Sequence, residues 1–127
     1  MKSIEVVAAV IIRNNKVFCC KRGPGRDLEG YYEFPGGKID VNETKEEALI
    51  REIKEELNID ISIDSYITTV EYDYPSFHLI MHVYRCFIVN GIISLNEHTD
   101  YIWCNVNDLK NVNFAPADLK VIVELGE

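Results

Sequence analysis

Paired cysteines are missing from this sequence. The four present are Cys19, Cys20, Cys86 and Cys104, and no CxxC occurs. A zinc site wants paired ligands at short fixed spacing, so these read as reduced thiols in an apolar core. Long hydrophobic runs are missing too. The apolar stretch near the N-terminus, Val6 to Ile12, is far shorter than the ~20 residues a membrane-spanning helix needs. It also lacks the small-residue cleavage region of a signal peptide. It reads as a buried strand, and the chain as cytoplasmic with no membrane partner.

Basic charge is in deficit, with 13 Lys and Arg against 21 Asp and Glu and a net charge of −8. Binding to a nucleic-acid polymer rests on basic side chains that neutralise phosphates, so no such partner is expected. A small phosphorylated ligand stays open, because a divalent cation held by carboxylates reverses the local sign. Internal repeats, low-complexity tracts and linkers are absent. The 127 residues fit one domain spanning 1–127, large enough to bury well over half of its unfolded surface.

The opening run IEVVAAVIIR and the following KVFCCKR are apolar and β-branched, and Asn14-Asn15 between them predicts a hairpin. Pro24-Gly25 and Glu29-Gly30 punctuate a loop. Tyr31 to Phe34 is a short strand, with Pro35-Gly36-Gly37 as loop after it. Over Thr44–Leu57 the sequence predicts a helix. Thr44 and Glu47 make a capping box, and Leu49, Ile53 and Leu57, with Ile50 beside them, give an apolar stripe. Asn58 suits the left-handed position after the last turn. Two β-rich segments follow, Ile61–Tyr74 and Phe77–Val89, split by Pro75-Ser76, and Asn90-Gly91 signals a tight turn. Tyr101–Cys104 reads as a strand. Ala117–Leu125 reads as a helix with Leu119, Ile122 and Leu125 on one face. The order predicts an α+β or α/β sandwich with a mixed sheet.

Glu52, Glu55 and Glu56 lie at i, i+3 and i+4, which puts them on one helical face. Charge runs are usually solvated faces. Here, however, like charges at i and i+4 destabilise the helix, and glutamates at its C-terminal end oppose the macrodipole. Clustered carboxylates at a local cost suggest a hard divalent cation, and Mg2+ takes oxygen ligands and is shared with substrate phosphates.

Gly37, five residues, Glu43, seven residues, then Arg51-Glu52-Ile53-Lys54-Glu55-Glu56-Leu57-Asn58-Ile59 resembles the Nudix box. Every fixed position matches except Asn58, where that family has Gly. The likeness extends along nearly the whole chain. It is nearest to MutT-like nucleoside triphosphate pyrophosphohydrolases and their CTP pyrophosphohydrolase branch, through "EFPGGKI", "IEVVAAVII", "EHTDYIWC" and "FAPAD".

The resemblance implies a Nudix-type α/β/α sandwich that cleaves a nucleoside triphosphate to the monophosphate and pyrophosphate with Mg2+, or Mn2+ in its place. It implies a metal held by the Gly37 carbonyl, Glu52, Glu56 and Glu97, with Glu55 direct or through water. A Gly36-Gly37 turn would let the backbone come close. Catalytic roles fall to Glu52, Glu55, Glu97 and Arg51. Arg51 pairs with Glu43 or Glu55 to fix carboxylate direction, and either Glu52 or Glu97 is the base. His98 is placed to hydrogen-bond nearby, while His78 and His82 read as ordinary strand histidines. Arg22 matches a nucleotide-contacting arginine, Phe34 lines a base pocket, and Phe77 stands where the guanine-reading type has an arginine. Asp118 stands where that type has Asn. An ionised Asp only accepts, which suits a base edge offering an N–H, such as cytosine or an oxidised guanine.

The substrate is then a small nucleotide, 8-oxo-dGTP or a CTP-like pyrimidine triphosphate, and the protein a monomer or homodimer. A Nudix hydrolase of another diphosphate derivative is the rival, disfavoured by the short chain without an extra N-terminal domain and by "FAPAD". A non-catalytic nucleotide-binding module is the rival of another class, and the intact Glu52, Glu55 and Glu56 argue against it.

Overall fold

The computed structural model describes residues 2–125. Strand β1 (Lys2–Arg13) and β2 (Lys16–Lys21) are joined by Asn14 and Asn15 at φ 53° and 63°. Both are left-handed, the two-residue hairpin connection that matches strand twist and that asparagine tolerates. Then come β3 (Tyr32–Glu33), β4 (Gly36–Lys38), helix α1 (Lys45–Leu57), β5 (Asp60–Tyr74), β6 (Phe77–Asn90), β7 (Asp100–Asn105) and α2 (Pro116–Leu125). A short 3-10 turn over Val106–Asn111, which no sequence signal marked, links β7 to α2.

The sheet is mixed. Its main path runs β3-β2-β1-β6-β5, with β4 on β1 and β7 on β2. The β1–β6 pairing is parallel and the others are antiparallel. Alternation along β1 sends Val7, Ala9 and Ile11 to one face and Ala8 and Val10 to the other. The first face packs on Leu49, Ile53 and Leu57 of α1, the second on Ala117 and Val121 of α2. Each fully buried Leu or Ile stabilises by about 1.5–3 kcal/mol. The result is an α+β fold with helices on both sides of a mixed sheet. Among the described residues no helix is long and apolar enough to cross a membrane.

Three local expectations are corrected. Pro35-Gly36-Gly37 is not all loop, because Gly36–Lys38 forms β4 against Val6–Ala8. The glycines allow close approach within a ladder rather than a turn. A Cβ on Gly36 would collide with the Val7 carbonyl, and one on Gly37 with the Glu52 carboxylate. Ile50 is not part of the buried stripe but 43% exposed. In α2 the buried face is Ala117, Asp118 and Val121, and Leu119 is exposed. A polar residue, Asp118, points inward there.

Candidate active site

Helix α1 begins with the full capping box. Thr44 Oγ1 accepts the Glu47 amide at 3.0 Å, and Glu47 accepts the Thr44 amide at 2.9 Å. It ends on Asn58 at φ 60°, whose amide donates to the Lys54 carbonyl at 3.0 Å. Asn58 thus does what glycine does at that position. The helix is held at both ends, and its last two turns carry the acidic residues against β4.

One guanidinium organises them. Arg51 Nε and Nη2 fork onto Glu43 at 2.6 and 3.0 Å. Nη2 also donates to the Lys38 carbonyl at 3.0 Å, and Nη1 reaches Glu52 at 3.1 Å and Glu55 at 3.3 Å. Planar fork geometry suits this bidentate arrangement. The Arg51 hydrogen bond, with one from the Asp40 amide, holds the Glu43 carboxyl below the usual glutamate value.

Glu52, Glu55 and Glu56 do not share one environment, which corrects the expectation that all point the same way. Glu56 is 3% exposed, the Glu52 side chain 15% and the Glu55 side chain 57%. Burial, contact with Glu52 and the charges of Glu97, Glu52 and Glu33 push Glu56 up to about 10. One of its oxygens, Oε1, is buried without a hydrogen-bond partner.

Gly37, Glu52, Glu56 and Glu97 line a cavity of about 760 Å3. Arg22, Phe34, Phe77 and Asp118 line the same cavity. Glu55 and Arg51 do not; Arg51 touches two residues that do, Glu52 and Lys38, and Glu55 touches Arg51. Phe34 is buried and stacks on Phe114 with ring centroids 5.0 Å apart. Its amide donates to Asp118 Oδ2 at 2.9 Å. Burial and the charge of Glu33 push Asp118 up to about 8, although the Phe34 amide and Arg22 pull it back. Burial thus favours the protonated carboxyl, which both donates and accepts. This corrects the expectation of an acceptor-only aspartate.

Arg22 is committed within the protein. Nη1 donates to Glu33 at 2.7 Å and Nε to the Asp27 carbonyl at 2.6 Å, which anchors the loop before β3. His98 is the second partner of Glu33, at 2.7 Å. Burial alone would raise Glu33, but His98 and Arg22 outweigh it and hold the carboxyl low. Ligand atoms of Cys20, Glu33 and His98 lie within 4.8 Å of one another. We read this as a structural ion pair, because Glu33 already serves Arg22 and His98, and burial drives the Cys20 thiol well above its usual value. The other thiols read from the sequence as core residues are free, with Cys19 and Cys86 buried and Cys104 half-buried. His78 pairs with Asp73 and Glu71, and His82 with Glu5 and Thr69, away from the cavity.

Residues 7–124 match the family described as the NUDIX domain. The chain belongs to the Nudix family. It is 32% identical over 122 residues to the CTP pyrophosphohydrolase of Escherichia coli K12, covering 96% of this chain and 90% of that one. It is 30% identical over 126 residues to the 8-oxo-dGTP diphosphatase of the same organism, covering 98% of each. Among solved structures it is similar to the MutT protein, family Nudix hydrolase, of a methicillin-resistant Staphylococcus aureus. That match has TM-score 0.80 and 36% identity, over 99% of this chain and 98% of that one.

Nudix hydrolases generally use divalent metals, and the residues here fit one. The donors are all oxygens, which hard cations take. The unpartnered Glu56 Oε1 is an orphan that a cation would satisfy. The absent Cβ of Gly37 leaves the room that the Glu52 carboxylate fills. Sequence reading did not single out Glu33, Lys38 or Tyr74, all of which line the cavity of this Nudix domain. Glu33 had a usable signal, since it directly precedes Phe34 in "EFPGG".

Proposed function

We propose that this protein is a Mg2+-dependent nucleoside triphosphate pyrophosphohydrolase of the nucleotide-pool-sanitising type. Its products are the nucleoside monophosphate and pyrophosphate. Its substrates are 8-oxo-dGTP or CTP-like pyrimidine triphosphates, and the names of its relatives support both. One observation carries the reading: the oxygen cluster of Glu52, Glu56 and Glu97 and the aromatic, Asp118-bearing pocket of Phe34 and Phe77 share one cavity. That suits a ligand with polyphosphate at one end and a base at the other.

In this reading the Gly37 carbonyl, Glu52, Glu56 and Glu97 hold the cation. When bound, Mg2+, or Mn2+ in its place, acidifies water and screens phosphate charge. Arg51 fixes the direction of Glu52, and Glu43 and Glu55 fix Arg51. Glu97 has no ion-pair partner in the protein among the described residues, so a carboxylate oxygen not turned to the cation would be available to take the proton of the attacking water. A new P–O bond forms, and the bond from phosphorus to the bridging oxygen breaks. Phe77 holds the base by stacking, Phe34 lines the pocket, and Asp118 meets the base's polar edge. The whole is one catalytic domain, cytoplasmic, with a small nucleotide rather than a nucleic-acid polymer as ligand.

The test is a pyrophosphate-release panel with Mg2+ on CTP, dCTP, 5-methyl-dCTP, dGTP, 8-oxo-dGTP, ADP-ribose and a dinucleoside tetraphosphate. Strong preference for one triphosphate is expected and names the base. Activity on ADP-ribose alone would replace the reading with a diphosphate-derivative hydrolase. Silence throughout would leave a nucleotide-binding module.

A further inference from the structure

Tyr74 ends β5 beside the candidate base pocket, and the reaction as read above leaves it without a role. Its ring lines the cavity and stacks on Phe77, with centroids 5.2 Å apart and planes 28° from parallel. Tyr72 packs against it at 4.7 Å. Its hydroxyl oxygen accepts the Ala117 amide at 3.2 Å. Ala117 is the second residue of α2, where backbone amides have no helical carbonyl to bond. The next residue is Asp118. A hairpin aromatic and a helix start are therefore tied together at one atom, and the pocket carboxyl is on the next residue of the helix.

A phenol that accepts one hydrogen bond still has its own proton to give. Among the described residues the Tyr74 hydroxyl has no acceptor for that proton. Burial raises the phenol above its usual value, so the proton is retained. The anchored oxygen leaves the O–H free to turn, and Tyr74 and Asp118 line the same cavity. If the hydroxyl only capped α2, its loss would change stability and nothing else.

We propose that Tyr74 is a specificity-determining residue, whose hydroxyl, fixed on the Ala117 amide, donates a hydrogen bond to a ring nitrogen or carbonyl of the bound base next to the edge that Asp118 meets. This rests on the nucleoside triphosphate reading above. Phe77 supplies the face of the pocket, and the Tyr74–Asp118 pair supplies its polar corner. A base is then ranked by whether an acceptor and an N–H sit side by side on one edge.

The experiment compares wild type with Tyr74→Phe, which removes one oxygen and keeps the ring. Kinetics are measured on the full triphosphate panel, below both melting temperatures. KM for the preferred triphosphate is expected to rise ~3- to 10-fold, the worth of one net hydrogen bond. Its advantage over the disfavoured triphosphates should shrink by a similar factor, with kcat nearly unchanged. Should the variant prove too unstable for turnover, affinity for the product monophosphate is read by calorimetry in the cold, with the same loss expected. Unchanged KM, ranking and product affinity overturn the proposal whatever happens to Tm. A wild type inactive on every triphosphate overturns the parent reading and this one together. An active wild type with an indifferent Tyr74→Phe overturns this one alone.

Discussion

The Phe34 amide donates to the Asp118 carboxyl at 2.9 Å, joining positions 84 apart in the chain. That bond locks the start of α2 onto the strand-and-glycine segment that leads to α1. It also takes Asp118 almost wholly out of water, at 5% exposure. Burial in this pocket favours the protonated acid, and the Phe34 amide opposes that shift without reversing it.

Asp118 makes stability depend on pH in a direction opposite to that of most carboxylates. Its folded value is about 8 against an ordinary 3.8. The folded state binds the proton more tightly than the unfolded state, so stability falls as pH rises through that window. Below the window both states are protonated and nothing is lost. Asp118→Asn removes the titration and keeps an oxygen for the Phe34 amide. Urea unfolding should show the variant gaining on wild type from pH 4 to pH 8. The gain should reach a few kcal/mol at the upper end, with about 1.4 kcal/mol for each pH unit crossed as the ceiling. A pH-independent difference would remove Asp118 from the interior. The same variant should reorder the triphosphates more than it changes the best rate.

Glu56 is the buried carboxyl with an orphaned oxygen. Without a cation it holds a proton against the solvent, which weakens the fold at neutral pH. Glu56→Gln should therefore be at least as stable as wild type in EDTA. It should lose turnover by ~100-fold or more, beyond the range seen when partners of metal ligands are removed. Mg2+ should raise the Tm of wild type by mass action and leave that of the variant in place. A Mg2+-responsive, active variant would take Glu56 out of the metal site.

Arg51 makes five hydrogen bonds, to Glu43, Lys38, Glu52 and Glu55. A lysine carries the charge but not the fork. Arg51→Lys should lower kcat by roughly 10- to 100-fold, as loss of a ligand-orienting partner does, and raise the Mg2+ concentration needed for half activity. Arg51→Ala should in addition lower Tm, since it strands Glu43 and Glu52. Equal kinetics for Lys and Arg would show that charge alone suffices.

Features set by neighbours in the sequence were legible: the Asn14-Asn15 hairpin, the Thr44–Glu47 box and the Asn58 cap each read correctly. Features set by distant neighbours were not. Gly36 and Gly37 looked like a turn because their partners, Val7 and Glu52, are far away in sequence. Helical spacing put Glu52, Glu55 and Glu56 on one side, but only the packing of α1 on β4 decides that Glu56 is buried and Glu55 is not. In α2, Leu119 looked like the core residue, yet the bond from Phe34 rotates Asp118 inward and leaves Leu119 to solvent. Tyr74 carried no local signal, because its partner Ala117 lies 43 residues on.

The adjacent glycines separate fold from function in one experiment. A methyl on Gly36 would meet the backbone of Val7 and Ala8, which cannot move without opening the β1–β4 ladder. Gly36→Ala should therefore destabilise by about 1–3 kcal/mol, the usual consequence of overpacking, and its activity should follow the folded fraction. A methyl on Gly37 would first meet the carboxylate end of Glu52, a side chain that can swing aside. Gly37→Ala should leave Tm close to wild type but push Glu52 off its place. Misplacement by about 1 Å can lower rates ~100-fold. Thermal melts and steady-state kinetics on both variants check this. A Gly37→Ala protein that melts and turns over like wild type would mean that Glu52 does not need its position against β4.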